Sequence, residues 1–335
     1  MSIEITTAGE LQAMSADPTA DYVLAGDIDW NDATGGGDFE PVGTFEPPLY
    51  QDWSGSFDGQ GHTISNLSID HTGWACGIFG YRLLGDGTIR NVGLIDPMVV
   101  GNTNTLAGTG ALIGFGSTIA NCFVRGGSVQ GVGGFPVGGL AGEATTITDC
   151  YCTANVTGDN DSGGIVGKNS GSNYPQRCYT AKGSVETSGT NAGGIIGFQN
   201  GGTTKHCFST ATVNGAAAGY VSGKEAGDAD NCWWVDQTGD DATAGNADPG
   251  RTHNEETELS ALYTPDHAVY AAVSPAWDFA EGGDWQEIAG DFPRLAWETI
   301  LAPVPYHLAA AETFLATAAG GQTFNSGQTA GIIDG

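Results

Sequence analysis

Gly77-Ile78-Phe79-Gly80, Ala111-Leu112-Ile113-Gly114, Gly139-Leu140-Ala141-Gly142, Gly164-Ile165-Val166-Gly167, Gly194-Ile195-Ile196-Gly197 and Gly219-Tyr220-Val221-Ser222 are six copies of one short apolar bracket. Their ends step by 34, 28, 25, 30 and 25 residues. About ten residues after each bracket comes a second column, Val92, Cys122, Cys150, Cys178, Cys207 and Cys232, and six or seven residues further a third, Val99, Val129, Val156, Val185 and Val213. Three short apolar strands per repeat, separated by turn residues, describe one coil of a three-sided parallel β-solenoid. Such a coil cannot bury its own apolar face and must stack on copies of itself. Stacking pairs each strand with its counterpart in the next coil at about 4.8 Å. Length differences fall between columns, so the insertion from Lys168 to Gln176 is expected to protrude as a loop.

The composition agrees. The chain of 335 residues carries 55 glycines, roughly twice the usual share of about 7%, with no three-residue period. Ten Lys and Arg stand against 39 Asp and Glu, a net charge of −29. Self-repulsion of that size opposes folding in dilute buffer and is screened in molar salt, which points to a halophilic host; an acidic extracellular protein of an ordinary bacterium is the alternative. No basic run suits nucleic acid, and no apolar stretch reaches the ~20 residues of a membrane span. The start Met1-Ser2-Ile3-Glu4 has neither the basic nor the apolar region of a signal peptide, which leaves a removed signal or assembly inside a cell as the expectations.

The brackets, together with Asn121-Cys122-Phe123, Asp149-Cys150-Tyr151 and Asn231-Cys232-Trp233, resemble the GLUG repeats of bacterial and archaeal surface proteins. Gly55 to Leu67 and Ile89 to Leu94 are similar to the segments that open such arrays, and Trp277 to Trp297 to the piece that closes them. The resemblance implies a fold and a surface setting, and no agreed chemistry. The chain then divides into an N-terminal cap (1–54), GLUG-like repeats (55–240), a closing segment (241–298) and a C-terminal arm for docking or oligomerisation (299–335), with a frayed terminus as the other reading of the arm. Thr6 or Thr7 can cap a short helix through Ala13, followed by a strand at Tyr22–Leu24.

Five of seven cysteines share one column, where a thiol packs as a small hydrophobe; stacked Cβ vectors point alike, which suits a disulfide poorly. Buried, reduced thiols are expected. Alternation then turns the neighbouring column, Phe123, Tyr151, Tyr179, Phe208 and Trp233, outward as a sugar-stacking platform or a subunit contact, while Val124, Cys152, Thr180 and Ser209 accompany the cysteines inward. A turn at the Asn column would invert this parity and make the rings core. Asp58 superficially resembles the carboxylate of polysaccharide-cleaving solenoids, but it sits in a turn, and the other acids are scattered. Asp159-Asn160-Asp161 falls short of the six to eight oxygens calcium takes. No catalytic residue, metal ligand or cofactor is assigned.

The function read from these features is a non-enzymatic virion surface protein for host attachment in a halophilic virus, such as a tail fibre, spike or capsid-surface protein. The alternative is a cell-surface adhesin or envelope-associated protein, and a third reading is a polysaccharide-degrading enzyme. The expected partners are other virion proteins or further copies of the chain, and a host-surface glycan or glycoprotein. Loops on rigid scaffolds tend to carry binding, so Asn173, Tyr174 and Gln176, flanked by the cations Lys168 and Arg177, are the receptor-binding candidates, with the aromatic column as the second choice.

Overall fold

The computed structural model describes residues 2–33, 36–46, 49–82, 87–102, 107–169, 175–219, 221–225, 228–235, 253–256, 259–264, 266–270 and 276–298. Two compact units are distinguished, Met1–Glu298 and Thr299–Gly335. The second covers the residues read above as an arm, and these lie outside the described residues. No helix among the described residues is long and apolar enough to cross a membrane.

The first unit is a parallel β-solenoid. One coil runs through Ile113–Phe115, Thr118–Ala120, Phe123–Arg125, Ser128–Val132 and Val137–Gly138 before Ala141–Ala144 begins the next. Each strand pairs in parallel with its successor one coil on. The columns read from the sequence are in vertical register: Val99 opposes Val129, Val129 opposes Val156, Val156 opposes Val185, Val185 opposes Val213, and Cys150 opposes Cys178. The brackets form a six-stranded sheet, the valines another, and the cysteine strands belong to a fourteen-stranded one.

A further stack, not separated in the sequence, lies just before the brackets: Thr109–Gly110, Val137–Gly138, Ser162–Gly163, Asn191–Gly193 and Ala217–Gly219. It explains why glycine recurs there. A Cβ on Gly138 would stand 2.0 Å from the Ala141 carbonyl oxygen, and one on Gly163 2.0 Å from that of Val166. The chain turns so tightly into the bracket that no side chain fits.

The cysteine strand bends at the residue before each thiol. Asn91, Asn121, Asp149, Arg177, His206 and Asn231 all have φ between 50° and 54°, the left-handed region that Asn and Asp tolerate best. The bend resets the alternation, so Ile119 and Cys122, three apart, both enter the main core with Val124. It also brings the thiol within reach of the carbonyl two residues before it: Cys122 donates to Ala120 O (3.2 Å), Cys150 to Thr148 O (3.0 Å), Cys178 to Gln176 O (3.3 Å) and Cys207 to Lys205 O (3.2 Å). A small apolar group with one weak donor fits that position. All seven cysteines are buried and free.

At the N-terminus the helix Ala8–Ala13 starts at Thr7, with Glu10 completing a capping box. Its Leu11, followed by Met14, enters the main core. The strands Ile3–Ile5 and Tyr22–Leu24 pair with each other and then with Phe57, so the cap continues the stack of the cysteine sheet.

Candidate functional site

The aromatic column points away from the main core and is nevertheless covered. Phe123, Tyr151, Tyr179 and Phe208 stack face to face at 5.0, 4.9 and 4.8 Å between ring centroids, the spacing of the coils, with interplanar angles of 10° or less. All four are buried and belong to a second apolar core, with Trp233 half-buried at its margin. The other half of that core is the closing segment, which runs back along the stack as a strap. Trp277 donates its indole N–H to His206 O (2.9 Å), Trp285 to Asp149 Oδ1 (3.0 Å) and Trp297 to Asn121 O (3.2 Å). Phe292 adds a ring 5.7 Å from both Tyr179 and Phe208. The expectation of an open aromatic platform at Phe123, Tyr151, Tyr179 and Phe208 is therefore corrected. Rings that large and that close are the apolar face on which the chain's own closing segment docks.

The candidate loop is altered too. Asn173 and Tyr174 lie outside the described residues. Gln176 opens the strand Gln176–Thr180 and pairs with Thr148 and Lys205. Arg177 is not a cation on offer to a ligand: its Nε and Nη2 donate to the two carboxylate oxygens of Asp149 at 2.6 and 2.5 Å, and both side chains are nearly excluded from water. Lys168 stays partly exposed, 3.6 Å from Glu143. It stands in an outward row of the bracket sheet, between Glu143 and Phe198, which in turn carries Lys224 5.0 Å over its ring.

The acidic residues weighed for chemistry tie coils together. Asp58 accepts from Arg90 Nε (2.9 Å), Asn91 Nδ2 (3.0 Å) and Gln60 N (2.9 Å). Asp159 accepts from Gly133 N and Ser188 Oγ on neighbouring coils, and Asp161 from Asn191 Nδ2. Among the described residues no three His, Cys, Asp or Glu side chains gather as metal ligands.

One cleft gathers positive charge. Arg125, Gly126, Thr153, Tyr179, Lys182, Asp291, Phe292 and Arg294 line a cavity of about 340 Å³ where the strap meets the solenoid. Behind the lining arginines the buried Tyr151 hydroxyl receives Arg125 Nη2 (2.7 Å) and Arg294 Nη1 (3.0 Å) and donates to Glu298 Oε2 (2.9 Å), which Arg125 also contacts directly. Burial raises the pKa of Glu298, against the two guanidiniums that pull it down. Lys182 Nζ reaches Asp291 at 2.7 Å. Sequence reasoning missed this cleft because Arg294 and Asp291 lie more than a hundred residues from Lys182, and only the strap's return path unites them.

No family model matches the sequence. The chain is 35% identical over 270 residues, 73% of its length, to Halomucin of Haloquadratum walsbyi, and it spans 3% of that protein's length. A crystal structure of a candidate immunoglobulin A1 protease from Bacteroides ovatus matches the fold with a TM-score of 0.67 at 21% identity, covering 89% of this chain and 93% of the other. At that identity the likeness is one of fold alone.

Proposed function

We propose that this chain is a non-enzymatic solenoid module of an extracellular or cell-envelope protein in a halophilic archaeon, acting as a rigid binding or spacing element. The observation that carries the reading is the 35% identity to Halomucin over 73% of this chain, a protein whose name joins salt and mucin. The net charge of −29 supports the same setting, since such a surface needs molar salt to relieve its repulsion. The relative favours the envelope over the virion surface that the sequence alone put first. Carboxylates engaged in coil-to-coil hydrogen bonds, as Asp58 and Asp159 are, favour a scaffold over a glycan-cleaving enzyme. The test is gold-labelled antibody against the folded chain, applied in molar salt to intact cells of the source organism and to its virus particles. Label along the cell envelope is expected; label confined to virions or to the cell interior would overturn the reading.

A further inference from the structure

We infer that the cleft between Lys182, Arg125 and Arg294 is a binding site for an acidic sugar, a monosaccharide unit bearing a carboxylate or sulfate. The inference rests on the envelope reading only for where such a ligand would come from. Three of the chain's ten cations line this one cavity against one lining carboxylate, Asp291, with the buried Glu298 behind them pairing Arg125. On a surface of net charge −29 it is a local positive spot at which an anion is attracted.

The donors exceed their partners. Lys182 is more than half exposed and spends one of its three N–H groups on Asp291. Arg294 gives Nη1 to the Tyr151 hydroxyl (3.0 Å) and reaches Asp291 through Nη2 only at 3.4 Å, and the buried Nε of Arg125 has no hydrogen-bond partner. Lys182 is also an unexpected residue where it stands. It has a φ of 63°, at a bend that earlier coils of the same length fill with Asn66, Asp96 and Gly126, residues suited to the left-handed region. A lysine stands there against its backbone preference, and its side chain lines the cleft. Phe292 and Tyr179 supply an apolar wall for a sugar ring, and the Thr153 hydroxyl lies beside it. A cavity of about 340 Å³ falls within the size range of small-ligand pockets. Arg294, the most buried of the three cations, is the least screened in brine.

The test is calorimetric titration of the full chain in about 3 M KCl with glucuronic acid, galactose 6-sulfate and, as the neutral control, galactose. Saturable binding of one or both acidic sugars and none of galactose is expected, and the stronger of the two identifies the anionic group. Lys182→Asn restores a residue suited to the bend and should weaken binding at least tenfold with an unchanged melting temperature. Lys182→Arg should retain it. Absence of binding by either acid, equal binding of galactose, or an undiminished affinity in folded Lys182→Asn would each overturn the site. Envelope labelling would stand in all three cases, so failure here is distinguishable from failure of the proposed function.

Discussion

Asp149 and Arg177 hold the same corner position in successive coils, both at positive φ, and their side chains close a two-pronged ion pair at 2.6 and 2.5 Å. The same Asp149 oxygen that meets Arg177 Nε also receives the indole N–H of Trp285. The pair therefore joins two coils and anchors the strap. Asparagine fills the corner at Asn91, Asn121 and Asn231 without any charge, so the ion pair is a local substitution for a neutral solution. Removing one member strands the other in a dry site, at a cost of about 3–5 kcal/mol. Arg177→Ala should destabilise by that amount. Asp149→Asn combined with Arg177→Asn should recover more than half of it, because it rebuilds the neighbouring corners. Denaturant titrations in molar salt measure both; a double variant no better than Arg177→Ala would refute the equivalence of the corners.

The thiols should be inert in the native state. Burial raises the pKa of Cys152 to about 12 and holds Cys150 and Cys207 well above the ordinary range. At Cys178 burial is outweighed by the hydrogen bonds with Cys150 and Cys207, which lower it, but that thiol, like the others, is closed off from any reagent in solution. Iodoacetamide at neutral pH is expected to leave Cys122, Cys150, Cys178 and Cys207 unmodified until the protein is denatured. Cys150 Sγ donates to Thr148 O and accepts from Cys122 N, so Cys150→Ser keeps both roles and should cost only about 1 kcal/mol, whereas Cys150→Ala removes both and should cost more. Rapid native alkylation, or the reverse order of the two variants, would count against this account.

Stability should rise with salt and, at low salt, with mild acid. Melting temperatures are expected to climb steeply between ~0.2 M and ~3 M KCl as the repulsion is screened. Burial raises the pKa of Asp161, Asp284 and Glu298. For a carboxyl whose folded pKa lies above its unfolded value, the folded state binds more protons, so stability is lost as pH rises through the folded pKa and is fully present below the unfolded one. Relief of net charge acts in the same direction. Glu10, Asp17, Asp21 and Asp29 act the opposite way: hydrogen bonds, chiefly from Thr6, Thr19, Ser56 and Asn66, hold their pKa values down, and their contribution is lost only in stronger acid. In ~0.2 M KCl the protein should therefore melt higher at about pH 5 than at about pH 8 and lower again below about pH 3, and the first difference should shrink in ~3 M KCl. A flat salt response would remove the halophilic reading of the charge.

The stacked fold was legible because repetition leaves a mark at every coil: brackets, thiols and valines recur at fixed offsets, and each occupies its own column in register. The outward direction of Phe123, Tyr151, Tyr179 and Phe208 was legible for the same reason. Their burial was not. It depends on Trp277, Trp285, Phe292 and Trp297, which occur once each and match no column, and the strap they form meets the coils 70 to 180 residues back along the chain. Arg177 was misread as a loop cation because its partner Asp149 stands one coil away, a distance that only the register supplies. The one signal that could have warned of a cover was the density of tryptophan in 277–297, since large rings need a dry partner.

The strap should be separable in stability from the solenoid. The main core holds the cysteine, valine and bracket columns, whereas the second core consists of the outer rings and the strap. Trp285 is buried, 5.9 Å from Tyr179 and 4.4 Å from Trp277 between ring centroids, besides its bond to Asp149. Trp285→Phe keeps a ring but removes the donor to a carboxylate, a loss of about 1.5–3 kcal/mol. Trp285→Ala also opens a cavity and should cost about 3–5 kcal/mol. Loss of that size at the strap uncovers the Phe123 to Phe208 ladder while the parallel stack retains its own core. Trp285→Ala is thus expected to bind an apolar dye such as ANS in molar salt, to be cut by protease within 276–298, and to keep the far-ultraviolet spectrum of the parent. Trp285→Phe should neither bind the dye nor be cut at room temperature, and should melt earlier. If Trp285→Ala instead loses its β spectrum in the same step in which the strap becomes cleavable, the two cores fold as one unit and the strap is part of the solenoid's own stability.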